Sequence, residues 1–343
     1  MKLNRVKEVE KTLGSIVEET KSNRFNNVVS TSSTLLDLAI SGEKVYGGGI
    51  PGGIIMEIYG PPGTGKTAFL ASICSSAQKK GGDIRLGDPE ARLDQEYSEI
   101  YGLSLTGKYG KAYYRPDTVT ELFDDLKRWE PKPEKKGAIS VYGADSLAAL
   151  STHLELESEE GDKMGMRRAK EFSEGLRKIC RKIVFYNILV CCTNQTRIDN
   201  KTTPGGKGIP FYSSLRIETS PKYGDDKIEK EIEVNGRKIK KIIGIKTTCF
   251  VSKSTIASPF RKCDVSIIFN YGIDSIRDEL QFLKDIKRLT KYPAVKKEFQ
   301  SIDRAIFYIE ENNLQKELRD EVIKVWMEIE EKFKIHRRPR IWF

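Results

Sequence analysis

The stretch Gly60-Pro61-Pro62-Gly63-Thr64-Gly65-Lys66-Thr67 constrains this chain more than any other. Its spacing is Gly, four residues, then Gly-Lys-Thr. It stands between an apolar run, Ile54 to Tyr59, and a stretch from Thr67 to Lys79 that reads as a helix. Each residue type has a physical reason to be there. Glycines let backbone N–H groups approach phosphate oxygens, a lysine at Lys66 reaches the β- and γ-phosphates, and a hydroxyl at Thr67 ligates magnesium. A helix that begins at the loop turns the positive end of its dipole toward the anion. The pattern is rare at average residue frequencies, and the strand–loop–helix setting disfavours a ligand-free Gly-rich turn. The expected cradle for a nucleoside triphosphate is Gly60, Pro61, Pro62, Gly63, Thr64, Gly65, Lys66, Thr67 and Ala68.

A chain of 343 residues has room for one large domain and smaller appendages. Hydrophobic residues at 38% and charged residues at 31% suit a sizeable core and exclude a collagen, a disordered acidic tail and a membrane protein. Lys+Arg 59 against Asp+Glu 49 leaves a net charge of +10, compatible with a polyanionic partner. The longest strongly apolar stretch, Ile183 to Thr193, contains Asn187 and falls short of the roughly 18 residues of a membrane helix. Met1 to Ser15 is charged throughout and lacks a signal-peptide core, so a cytosolic protein is expected. Cys74, Cys180, Cys191, Cys192, Cys249 and Cys263 form no Cys-x-x-Cys pair, and His153 and His336 lie far apart. Buried reduced thiols are expected, in preference to a zinc site or a hydrolytic triad.

Residues Asn4 to Lys21 read as an amphipathic helix and Asn23 to Val29 as a linker. From there to about residue 270, strand-like runs alternate with helical stretches, the pattern of a mainly parallel sheet with helices on its faces. The clearest strands are Ile54 to Tyr59, Ala138 to Ala144 and Ile188 to Thr193, with a loop over Trp129 to Glu134. Val234-Asn235-Gly236-Arg237 is a hairpin turn that implies a late antiparallel extension. After Gly272 strand signals fade, and Ser301 to Phe333 looks mainly helical. The expected units are 1–29, 30–272 and a small C-terminal domain over 273–343.

Phosphoryl transfer needs a second magnesium ligand and a group that orients water. Ile139-Ser140-Val141-Tyr142-Gly143-Ala144-Asp145-Ser146 offers Asp145 at the end of a hydrophobic strand, although a helix N-cap would use the same residue. Ser146 follows where many P-loop ATPases carry the catalytic Glu, so the base must come from elsewhere. Asp88-Pro89-Glu90 follows the strand Ile84 to Leu86. If that strand lies beside the phosphate-loop strand, Glu90 approaches the γ-phosphate. Asn194-Gln195 ends another strand, where an amide senses the γ-phosphate or serves only the local structure.

These elements, in this order and spacing, resemble the RecA recombinase family in its bacterial type and phage relatives. Ser30 to Asp37 is similar to the start of that family's core, Asp88 to Asp94 to its catalytic-Glu segment, and Asp145 to Leu150 to its Walker B strand end. Gly161 to Gly165 resembles the first DNA-binding loop. Asn194 to Arg197 opens and Thr202 to Gly206 closes the second, and Lys253 to Phe260 resembles the segment that reaches a neighbour's ATP site. The likeness runs close to the whole chain.

The resemblance implies a RecA-like α/β ATPase core with an N-terminal polymerisation helix and a small C-terminal α/β domain. It implies ATP and Mg2+ as cofactors, with Thr67 and Asp145 on the metal. Glu90, Lys66, Gln195 and Lys253 would be catalytic, and Asp94 and Tyr97 would contact adenine. Ser173, Arg177, Arg197, Gly205 and Gly206 would contact DNA, arginines neutralising phosphates and glycines donating N–H groups. The implied function is ATP-dependent recombination: a self-assembled helical filament on single-stranded DNA finds homologous double-stranded DNA and exchanges strands, with no membrane involved. The alternatives are a RecA-fold motor such as a ring helicase, and an ATP-binding regulator without strand exchange.

The chain departs from the family at several points. Nine residues separate Gln195 from Gly205, none of them aromatic, and Ile198 is the only large apolar residue there. Thr255 stands where a second lysine is usual after Lys253, which points to slower or less DNA-dependent hydrolysis. Lys332 to Phe343 is basic, with Trp342 and Phe343 at its end, and is a plausible surface for duplex DNA. Arg237, Lys238, Lys240 and Lys241 form a basic hairpin arm that reads first as a solvated edge guarding against aggregation.

Overall fold

Strands buried on both faces organise the centre of the computed structural model, which describes residues 25–107, 110–157, 164–196 and 203–337. The expected N-terminal helix, Gly161 to Lys163, Arg197 and the end of the basic tail lie outside the described residues. Ten strands form one sheet: β1 (Ile54–Gly60), β2 (Ile84–Gly87), β3 (Tyr113–Tyr114), β4 (Ser140–Ala144), β5 (Ile188–Gln195), β6 (Leu215–Pro221), β7 (Lys227–Val234), β8 (Arg237–Ser254), β9 (Lys262–Ile268) and β10 (Gly272–Ile273). Their order is β10-β9-β8-β6-β1-β5-β4-β2-β3, with β7 paired to β8. From β6 to β3 all pairs are parallel, and those of β7, β8, β9 and β10 are antiparallel.

The central strands are buried on both faces, so their sequences are mostly apolar, with Glu57 the one charged residue among them. Successive side chains serve different cores. Ile54, Met56, Ile58, Val141, Leu189 and Cys191 pack with Phe69, Leu70 and Ile73 of the helix Lys66–Lys79. Ile55, Tyr142, Ala144, Ile188, Val190 and Cys192 pack with the helices Val119–Arg128 and Met164–Phe185. The shorter of these buries Val119, Leu122 and Leu126 at helical spacing, and Thr118 caps it by accepting from the Glu121 N–H at 3.1 Å. The longer buries Phe172, Leu176, Ile179 and Ile183 along one stripe.

A third cluster joins Leu38 of the helix Thr34–Ser41 to Leu280, Leu283, Ile309, Leu318 and Val322 near the C-terminus. The expected helical stretch 301–333 is two helices, Ile302–Glu311 and Gln315–Phe333, broken where Asn313 takes φ 51°. They follow a small hairpin of Tyr292–Ala294 and Lys297–Phe299. Among the described residues no helix is long and apolar enough to cross a membrane.

One placement differs from the sequence reading. β2 is not the neighbour of β1, because β5 and β4 lie between them. Helical crossovers set strand order in such a sheet, and local sequence does not encode it.

Candidate functional site

The parallel strands β1, β5, β4 and β2 all end on one edge of the sheet, where an α/β fold gathers ligands. β1 runs into the glycine-rich loop, and the helix Lys66–Lys79 leaves it one residue earlier than its sequence suggested. Gly65 caps that helix at φ 77°, a left-handed conformation that favours glycine, and a Cβ there would come within 2.2 Å of Ile267 Cδ1. Thr64 is buried, and its hydroxyl bonds the Pro61 carbonyl at 2.9 Å and the Thr219 hydroxyl at 2.8 Å, which fixes the far side of the loop. Lys66 Nζ donates to the carbonyls of Gly60 and Pro61 at 3.0 and 2.7 Å. Burial lowers the Lys66 pKa, while the carboxylates of Asp145 and Glu90 act to raise it.

Asp145 directly follows β4 and accepts from Thr67 Oγ1 at 2.6 Å and from the Thr193 hydroxyl. It does not cap the short turn that follows, whose N-cap position is Ser146. Burial raises its pKa, opposed by the Thr193 and Thr67 hydrogen bonds. A hydroxyl and a carboxylate held together are hard oxygen donors that suit a small dication bound with phosphate.

Glu90 reaches the same edge although β2 is distant from β1. Asp88 is fully buried and accepts from the Leu93 N–H and the Tyr113 hydroxyl, both at 2.9 Å, so the chain after β2 folds back over the strand ends. Glu90 Oε1 then accepts from the Ser146 hydroxyl and from Gln195 Nε2 at 3.3 Å. Its Oε2 pairs with Arg92 Nε at 2.6 Å. Glu90, Asp145, Gln195, Lys66 and Thr67 therefore form one cluster. The serine that stands where a glutamate is common holds the glutamate that arrives from another strand.

β5 runs two residues beyond the expected Thr193, so Asn194 and Gln195 belong to the strand itself. Asn194 Nδ2 donates to Glu57 Oε1 at 2.9 Å and to the Pro204 carbonyl at 3.1 Å. Glu57 is fully buried in β1, and Arg216 Nε of β6 pairs with its Oε2 at 2.6 Å. The Arg216 guanidinium also lies 4.2 Å from the centre of the Tyr59 ring. Two turns of chain are thus tied together, one entering the phosphate loop and one returning from the expected second DNA loop.

That return packs on the helix Met164–Phe185. Gly206, at φ 70°, passes so close to Ala169 that a Cβ would stand 2.7 Å from the alanine Cβ. Gly205 faces Phe172 and Ile209, and Gly208 faces Ser173. Ser173, Gly205 and Gly206 are therefore brought together, with Arg177 exposed one turn further along the helix.

Other expected residues stand apart from the cluster. Lys253 lies opposite Arg216 on β8, and its Nζ donates to the carbonyls of Pro210 and Phe211 at 2.7 and 3.0 Å. Burial and then Arg216 lower its pKa. Asp94 caps the helix Gln95–Ile100, accepting from the Tyr97 N–H at 2.7 Å, and Tyr97 packs on Tyr101 with ring centres 5.2 Å apart.

Sequence reasoning did not reach Thr193, Arg92, Glu57 or Arg216. Only Glu57 carried a signal, as a lone carboxylate inside the apolar run Ile54 to Tyr59.

Comparison with known proteins shows the family. The family model described as RecA N-terminal domain matches residues 3–274. Protein RecA of Deinococcus radiodurans is 30% identical over 324 residues, 90% of this chain and 83% of its own length. Protein RecA of Gluconobacter oxydans is 33% identical over 261 residues, 74% of this chain and 69% of its own. Protein RecA of Methylococcus capsulatus is 34% identical over 261 residues, covering 72% and 67%. The match spans the phosphate loop, Glu90, Asp145 and Gln195, and this chain belongs to the RecA family of DNA recombinases.

Proposed function

We propose that this protein is an ATP-dependent DNA recombinase that polymerises on single-stranded DNA, pairs it with homologous duplex and exchanges strands. One observation carries the reading: Glu90 is held at once by Ser146, beside Asp145, and by Gln195, where the chain departs for the second loop. A carboxylate that orients the attacking water is thereby in direct contact with the amide that precedes a DNA loop.

In this reading the glycine-rich loop and Lys66 bind the triphosphate of ATP, and the Lys66 ammonium exchanges two backbone carbonyls for phosphate oxygens. Thr67 and Asp145 would hold Mg2+, which would supply positive charge to offset that of the phosphates. Glu90 takes the proton of the attacking water, and Gln195 reports the γ-phosphate to the loop. Tyr97 and Asp94 would contact the adenine. Ser173, Arg177, Arg197, Gly205 and Gly206 hold the strand by its backbone, without base identity, so homology is read by base pairing alone. Residues 1–29 bind the next subunit, 30–272 form the ATPase core and 273–343 a C-terminal domain. Lys253 serves a neighbouring subunit's ATP. The protein works in the cytoplasm.

The test is ATP turnover by the full chain with and without single-stranded DNA. Turnover is expected to rise with DNA and to be abolished by Lys66→Ala. Unchanged turnover in that variant would sink the assignment of the site.

A further inference from the structure

β7 and the first part of β8 leave the sheet as a two-stranded arm on the edge that carries the phosphate loop. β6 is parallel to β1 and ends at Pro221, opposite Thr247, and the chain then enters the arm. β7 has 8 residues and so runs about 27 Å. From Glu229 to Ile242 every residue is exposed.

The register sorts the side chains of the arm into two unlike faces. Glu231 pairs with Lys240 and Glu233 with Lys238 on one face, alongside Glu229 and Ile242. There Lys238 and Lys240 lie 3.0 and 3.7 Å from Glu231, so charge is answered within the face. The other face holds the pairs Lys230–Lys241, Ile232–Ile239 and Val234–Arg237. It has no acid, and among the described residues its cations have no ion pair. Two lysines directly opposite each other repel, and the exposed Ile232 and Ile239 gain nothing from water. A solvated edge that only resists aggregation has no use for this sorting.

We infer that this face is a contact for duplex DNA, laid across the major groove. A two-stranded ribbon fits that groove, which is about 12 Å wide. The Lys230–Lys241 pair and Arg237 are separated along the ribbon by about 13 Å, four residues of strand. Cations at both ends therefore meet the phosphate rows on either side, and the aliphatic centre faces the groove floor. Phosphates relieve the lysine repulsion, and contacts of this kind read no sequence. The root of the arm touches the nucleotide loop: Thr247 Oγ1 bonds the Thr64 carbonyl at 3.2 Å, and Ile245 and Ile267 lie under Gly65. The inference deepens the recombinase reading by giving its second DNA substrate a site.

The experiment uses the full chain with magnesium, a slowly hydrolysed ATP analogue and a short fluorescent duplex, titrated by anisotropy across a salt series. Each phosphate contact contributes about 0.9 to the slope of log affinity against log salt. The combined variant Lys230→Ala, Arg237→Ala, Lys241→Ala is expected to lose about 2 to 3 units of that slope, with about tenfold weaker duplex binding or more. Its turnover with single-stranded DNA and its melting temperature should match the unmodified protein. Lys238→Ala with Lys240→Ala should keep duplex affinity, and Ile232→Ala with Ile239→Ala should weaken it with the slope intact. An unchanged slope in the first variant overturns the inference. So does an equal loss in the second, or a loss of self-association without DNA, which would make the arm a contact between copies. If the unmodified protein binds duplex through the arm but shows no turnover response to single-stranded DNA, the arm stands and the recombinase reading falls.

Discussion

Glu90 carries three demands on one carboxylate: Ser146 and Gln195 donate to one oxygen, and Arg92 pairs with the other. These partners orient it, as a group that accepts a proton from water requires. Glu90→Gln preserves the size of the side chain and removes the charge. Turnover is expected to fall by about 10²- to 10⁴-fold with nucleotide affinity little changed, as read by steady-state kinetics beside equilibrium binding of a fluorescent ATP analogue. A modest loss, under about tenfold, would place the base elsewhere. Lys66 acts by charge and position, so its removal by Lys66→Ala should weaken nucleotide binding and chemistry together.

At the scale of elements, the Glu57–Arg216–Asn194 network joins β1, β6 and β5 just before the phosphate loop. Glu57 is fully buried, so removing its partner strands a charge in the core. Arg216→Ala is expected to cost about 3 to 5 kcal/mol of stability in denaturant unfolding. An effect below about 1 kcal/mol would mean that water or a relaxed backbone replaces the guanidinium. These elements also show what a sequence makes legible. The phosphate loop, Asp145 and the parallel strands could be read because their chemistry is local: glycine conformations, a strand-end carboxylate, mostly apolar runs. The contact of Glu90 with Ser146 could not, because it depends on the pairing of β2 with β4, which the crossovers set, and on the turn that Asp88 organises. Arg216 was silent for the same reason, since its partner lies 159 positions away. The two faces of the arm emerged only from its register, which a run of lysines and glutamates does not fix.

At the scale of the whole molecule, the C-terminal helices are joined to the sheet by a buried carboxylate. Asp278, on the helix Ser275–Ile286, accepts from the Ser266 N–H at 2.9 Å and the Ser266 hydroxyl at 2.6 Å. Burial pushes its pKa up from 3.8 to about 7, against the pull of those two bonds. The folded protein therefore keeps a proton that the unfolded chain releases near pH 3.8. This contribution is complete below that pH and drains away as pH rises toward 7. Asp278→Asn keeps an acceptor for the Ser266 N–H and a donor for its hydroxyl. Denaturant unfolding over a pH series should show the variant with a flatter profile between about 4 and 7, more stable than the parent at the upper end. An unaltered slope would mean that Asp278 is ionised in the fold.

The same scale carries the central claim, that the nucleotide cluster serves a filament on DNA. Negative-stain electron microscopy of the full chain with single-stranded DNA, magnesium and a slowly hydrolysed ATP analogue tests it most directly. The account predicts regular helical filaments that are absent when the nucleotide is left out. Closed rings or isolated particles under the same conditions would contradict it.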